Sequence, residues 1–199
     1  MKISNLLKNT TSFVTLSSLV AIAGLQCASA VAQDNSQSPK LYENSAKVDL
    51  KLSLLSDKKI DGVLHIPAQA AYGFPGKATT PENQAKADTV VDEVKQNISQ
   101  IVTFDPALGC KYKVTDVNKF DSEKAEYEET VNGTHKKTTA EYLVLKVNFT
   151  ATCNKALPKQ NVSIDFSKQF KNIDKFLVEI NAKDKRKFKS EAASKSFAL

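Results

Sequence analysis

Few side chains in this 199-residue sequence could carry chemistry. The cysteines are Cys27, Cys110 and Cys153, and the histidines are His65 and His135. Thiolates, imidazoles and carboxylates are the side chains that hold zinc, and a zinc centre takes three or four of them. His65 and His135 are therefore the candidate metal ligands, yet neither has a neighbour at ligand spacing. Covalent and acid–base catalysis fare no better. The chain has no Gly-x-Ser-x-Gly elbow, phosphate-binding loop, His-Glu-x-x-His or dinucleotide fingerprint. Asp92-Glu93 and Glu128-Glu129 are adjacent pairs, which diverge from one another and read as solvated charge. No catalytic residue and no cofactor-binding residue emerges.

The remaining chemistry is that of sulfur, and it depends on the elements that carry Cys110 and Cys153. Leu143, Leu145, Val147, Phe149, Ala151 and Cys153 alternate with Lys146, Asn148, Thr150 and Thr152, the period-two pattern of a half-buried strand. Cys110, Tyr112 and Val114 alternate with Lys111, Lys113 and Thr115 in the same way. Between the arms stands Asn132-Gly133, a dipeptide suited to a tight hairpin turn. Folding about it pairs residue 112 with 153 and residue 110 with 155. Cys110 and Cys153 then lie diagonally, or directly opposite if a single bulge intervenes. We expect a Cys110–Cys153 disulfide; the alternative is a pair of buried free thiols.

Two opening strands precede the hairpin. Ala46, Val48, Leu50, Leu52 and Leu54 alternate with polar residues, Ser56-Asp57-Lys58-Lys59 turns the chain, and Ile60, Leu64 and Ile66 face one way with His65 on the opposite side. Residues 67–81 carry three Pro and two Gly and read as a loop. A helix follows, with Thr80 at its N-cap, Pro81 in its first turn, and Ala87, Val90, Val91, Val94, Ile98 and Ile101 as one apolar stripe. The hairpin tip, 121–141, is rich in Glu and Lys and is expected to project into solvent. Beyond Cys153 the pattern gives a strand through Val162, Ile164 and Phe166, a short helix or turn over Ser167 to Asp174, a strand through Phe176, Val178 and Ile180, and a last strand near Phe188. The expected fold is α+β, of order β-β-α-β-β-β-α-β-β. It has a mostly antiparallel sheet, one long amphipathic helix packed on it and a disulfide-closed hairpin.

The N-terminus reads as an address. Lys2 and Lys8 precede an apolar run from Phe13 to Leu25, and Ala28-Ser29-Ala30 and Ala30-Val31-Ala32 are small-residue cleavage sites. Residues 1–32 are the expected signal peptide, cut near Ala32, with an uncleaved anchor as the alternative. Cys27 leaves with it, and two cysteines in an exported chain suit a bridge. Residues 33–45 read as a disordered leader and 46–199 as one domain. Residues 154–199 hold 11 Lys and Arg against 5 Asp and Glu, a basic C-terminal face beside a slightly acidic remainder. Export argues against a nucleic-acid partner, and no segment after the signal is apolar enough to span a bilayer.

Several landmarks recur together. Pro67-Ala68 is followed at a short gap by Gly73-Phe74. A long helix comes next, then Phe104 and Gly109-Cys110. Phe149 stands four residues before Cys153, and Phe166 and Phe170 close an alternating stretch. In that order and spacing the chain resembles the ZrgA family of zinc-regulated bacterial periplasmic proteins, over roughly residues 46–199. The resemblance implies a non-enzymatic periplasmic protein of zinc acquisition, with zinc or a periplasmic transport component as its partner. The residues that depart from the family pattern are those rich in histidine. Tyr42-Glu43-Asn44-Ser45 stands where His-x-His-Gly is typical, Pro75-Gly76 where Glu-His follows Gly-Phe, and the hairpin tip has His135 alone. No metal residue is carried over. The alternative is a metal-free interaction module acting through the charged hairpin tip or the basic C-terminal face.

Overall fold

The computed structural model describes residues 47–131 and 134–199, with the side chains of residues 127–135 outside that description. The expected signal peptide, the leader and the Asn132-Gly133 turn lie outside the described residues.

The opening hairpin is β1 (Val48–Ser56) and β2 (Lys59–Pro67). A five-residue helix, α1 (Ala68–Tyr72), is closed by Gly73 in the left-handed region at φ 78°. Then come α2 (Pro81–Ile101), β3 (Val102–Phe104), a 3₁₀ turn at Pro106–Leu108, β4 (Lys111–Val131), β5 (Thr134–Thr152), β6 (Asn161–Asp165), β7 (Phe176–Asn181), β8 (Lys185–Ser190) and β9 (Ser194–Ala198). Six strands form one sheet in the order β4-β5-β2-β1-β7-β8, and three form a second in the order β3-β6-β9. Pairing is antiparallel except between β1 and β7.

The α+β expectation is thus corrected. Nine strands in two sheets against one long helix make the described fold all-β. Two features of the chain caused the error. Phe166, Phe170 and Ile173 sit at helical spacing, yet Ser167 to Asp174 forms two tight turns, with Phe170 N–H donating to Phe166 O at 2.8 Å and Ile173 N–H to Phe170 O at 3.2 Å. The apolar side chains plug the core without a helix beneath them. β3 has only three residues, and β9 buries Phe197 alone among polar and small neighbours, so neither carries a period-two signal. The expected loop over 67–81 also opens with α1.

Elsewhere local chemistry and structure agree. The Thr80 side chain accepts from Asn83 N–H at 3.2 Å, capping α2, and Pro81 occupies the first turn where its missing N–H costs nothing. Ala87, Val91, Val94, Ile98 and Ile101 are buried along one helix face, and α2 lies against β4 and β6. Val48, Leu50 and Leu52 of β1, Ile60, Leu64 and Ile66 of β2, Leu145, Val147 and Phe149 of β5, and Val178 and Ile180 of β7 line one face of the six-stranded sheet. Each such side chain contributes about 1.5–3 kcal/mol when withdrawn from water.

The β4–β5 hairpin is longer than its sheet. From Val131↔Thr134 down to Asp121↔Val144 the register follows the turn. Two irregularities, between Asn118 and Asp121 and between Val114 and Asp116, each place one extra residue in β4. Together they move the pairing two residues, to Lys111↔Thr152. Cys110 therefore stands directly opposite Cys153, and their sulfurs are bonded at 2.02 Å. Two bulges were needed where one was expected. The bulge between Asn118 and Asp121 is held from α1 and α2. The Tyr72 hydroxyl donates to Lys119 O at 2.7 Å, Phe120 packs on Tyr72 with ring centroids 5.4 Å apart, and Lys119 Nζ donates to Asp88 at 2.6 Å.

Candidate functional site

His65 lies on the outer face of the six-stranded sheet, opposite Asp49 of β1 on one side and Lys146 of β5 on the other. Period two dictates this, since Leu64 and Ile66 take the core. Its Nδ1 is 3.3 Å from Glu123 Oε1 of β4, and its Nε2 is buried without a hydrogen-bond partner. In flat register Glu123 would be far from β2, because His65 pairs with Lys146, Lys146 with Asn118, and Glu123 lies further along β4. Glu123 nevertheless reaches His65 across β5. Lys146 Nζ meets Asp121 at 3.0 Å beside it.

This outer-face cluster is half-withdrawn from water. Burial raises the Asp49 carboxyl above its ordinary range; the His65 charge opposes this and the Glu123 charge adds to it. Burial also raises the Tyr142 phenol, with Asp49 and Glu123 adding to the effect. The arrangement is a polar clasp between sheet and ribbon, with His65 and Glu123 in contact across β5.

His135 does not join it. The ladder pairs His135 with Thr130, seven residues along β5 from Tyr142, which is roughly 23 Å of extended chain. Its side chain is outside the described residues. Cys110 and Cys153 are bonded to each other and offer no thiolate. Among the described residues no group of three or more His, Cys, Asp or Glu side chains gathers closely enough to hold a metal ion. The described side chains thus do not fit a zinc centre, which needs three or four converging ligands.

Two other places were candidates for chemistry. A shallow polar cleft of about 340 Å³ on the three-stranded sheet is lined by Thr103, Phe104, Asp105, Gln160, Ser163 and Ser196 among others. Several of its polar groups are already engaged. Ser163 and Ser196 hydroxyls bond each other at 2.7 Å, Thr103 donates to Ser99 O, and Asp105 accepts from Ala107 N–H. On β7, Glu179 draws in Lys51, Lys185 and Lys187 at 3.8, 3.1 and 3.3 Å. Its carboxyl is held below the ordinary range, first by the hydrogen bond from Lys185. Neither place sets a nucleophile beside a base.

The outer-face position of His65 was legible in the alternation of β2. Its partners were not: Asp49 and Glu123 come from other strands, and the turn-based register alone does not bring Glu123 to β2.

The described residues form a two-sheet β scaffold with a long hairpin locked by a disulfide. Residues 45–199 match the ZrgA family zinc uptake protein family. The chain belongs to that family, and its role is tied to zinc. No curated protein matches the chain. Among the described residues no helix is long and apolar enough to cross a membrane.

Proposed function

We propose that this chain is an exported, non-enzymatic accessory of zinc uptake that acts by contacting another component of the uptake system, with the ion as cargo held elsewhere. The observation that carries this reading is the ribbon at the far end of β4 and β5. Ten pairs, from Ser122↔Leu143 to Val131↔Thr134, extend past the last β2 contact at Val144↔Pro67. That is about 30 Å of two-stranded sheet. A free two-stranded ribbon is marginal in water, and this one is tied to the sheet at its base by Glu123–His65 and Asp121–Lys146. A protruding arm with Glu126, Lys124 and Glu141 on its surface suits a docking element better than a metal pocket. The Cys110–Cys153 bridge supports export, since such bonds persist outside the reducing cytosol.

A second reading, direct zinc binding, draws on one observation: His65 has Asp49 opposite it and Glu123 at 3.3 Å. The two are separated by experiment. A variant whose residues 124–141 are replaced by a two-residue Asn-Gly turn keeps both bulges and the bridge. In cells starved of zinc and lacking the native gene, the docking reading expects this variant to be exported and oxidised yet unable to restore growth. Titration of the intact exported protein with zinc should give no micromolar binding. Micromolar binding abolished by His65→Ala would overturn the docking reading in favour of the second.

A further inference from the structure

At the end of the six-stranded sheet opposite the ribbon, turns and strand ends from every strand meet. β1 runs into β2 there; β5 ends and β4 begins at the disulfide; and β7, parallel to β1, turns into β8. Cys153 N–H donates to Lys58 O at 2.8 Å and Leu157 N–H to Asp57 O at 2.6 Å, so the chain after the bridge is pinned to the β1–β2 turn. Lys58, Lys59, Lys111, Lys155 and Lys183 are all exposed at this end, and among the described residues none of them has an ion-pair partner. Asp57 and Asp184 are the acidic residues in the same turns. In their midst stands Leu55, 55 % exposed and the one large exposed hydrophobic among the described residues. The β1–β2 register skips it, pairing Leu54 with Ile60 and Ser56 with Lys59, so a bulge turns it out of the ladder.

Lysines on edge strands commonly ward off unwanted pairing. That account does not cover Leu55, Lys58 and Lys59, because β1 and β2 are central strands with no free edge. We propose that this disulfide end of the sheet is a docking surface for an anionic lipid bilayer, with the lysines meeting headgroup phosphates and Leu55 entering the interface. Charge complementarity supplies the attraction and the bulged leucine the apolar anchor. The ribbon, which carries Asp121, Glu123, Glu126, Glu128, Glu129 and Glu141 against three lysines, points away from such a surface and stays free for a partner. The proposal stands apart from any zinc binding.

The test is co-sedimentation of the exported protein, its N-terminus fixed by mass spectrometry, with vesicles of phosphatidylglycerol and phosphatidylcholine against vesicles of phosphatidylcholine alone. Binding to the anionic vesicles is expected, and it should weaken as salt is raised. Each lysine near such a surface strengthens partitioning roughly fivefold, so Lys58→Glu/Lys111→Glu/Lys155→Glu should weaken it by about a hundredfold or more. Leu55→Ser should weaken it without changing net charge. Lys124→Glu/Lys136→Glu/Lys137→Glu, an equal charge change on the ribbon, should leave it unchanged. Equal binding to neutral vesicles, no binding to either, or equal loss in the two triple variants would overturn the proposal. So would concentration-dependent self-association lost in the Lys58/Lys111/Lys155 variant with no vesicle binding, which would mean that the occupant is a second copy. Matching thermal melts for all variants exclude unfolding as the cause.

Discussion

Phe149 fills the space that a side chain at residue 62 would need. The two are cross-strand partners on β2 and β5, and a Cβ on Gly62 would overlap the Phe149 ring. Gly62 interrupts an otherwise apolar row, and the ring lies over the gap with 1 % of its surface exposed. Gly62→Ala should therefore destabilise the protein by about 1–3 kcal/mol through overpacking. Phe149→Leu, which vacates part of that space, should make the double variant less unstable than the two single losses added together. Urea midpoints for the four proteins of the cycle check this; strict additivity would mean the ring and the glycine do not compete for space.

The disulfide closes a loop with a sequence separation of 43. The chain-entropy model assigns about 4 kcal/mol to a loop of that length. Cys110→Ser with Cys153→Ser should lower stability by that order, and reductant should lower the melting temperature of the natural sequence but not of the variant. Identical melts with and without reductant would show that the bridge contributes nothing.

Val94 is 1 % exposed in the middle of the α2 stripe. Val94→Asp places a charge where there is no partner and should abolish cooperative unfolding. Lys95→Gln, one residue along and exposed, should shift stability by no more than about 0.5 kcal/mol. The near-ultraviolet circular dichroism of the two variants separates them.

Asp49 and the buried tyrosines set opposite ends of the pH profile. The Asp49 carboxyl is raised by burial, so the folded state binds its proton more tightly than the unfolded chain. Ionised Asp49 thus opposes folding above its folded-state pKa, and that penalty fades as pH falls towards the ordinary carboxyl value. Asp49→Asn should raise the melting temperature at neutral pH, with a gain that shrinks in acid. Burial pushes the Tyr112 phenol up to about 12 and the Tyr72 phenol higher still. The stability these neutral phenols bring is full below pH 10 and is lost as pH rises through the folded values. Tyr112→Phe should flatten part of the decline above pH 10; an unchanged alkaline limb would show that Tyr112 ionises as freely in the folded protein as in the unfolded chain.

Much of this architecture could be read from the chain, and the misreadings have identifiable causes. β1, β2 and the part of β5 from Leu143 onward carry period-two patterns, and α2 has a cap, a proline and a stripe, so local sequence sufficed. The first arm of the long hairpin was legible only as far as Val114. Beyond it the core-facing positions run Val114, Val117, Phe120, because each bulge swaps the faces of the strand. Loss of the pattern there was the signature of the bulges. Of the second sheet only its middle strand, β6, was legible, because β3 has three residues and β9 has a single buried apolar residue, Phe197. The clasp around His65 was out of reach because its members come from β1, β2 and β4, far apart in sequence and off the ladder register.

The two supernumerary residues of β4 also constrain how the chain can change length. Deleting Thr115 alone would turn the segment before it over and leave the Cys110 sulfur on the opposite side of the sheet from that of Cys153. Removing one residue from each bulge would restore parity but leave the sulfurs diagonal. Insertions and deletions in this arm are therefore read as odd or even, and a lineage that keeps the bridge can alter this stretch only by coupled indels.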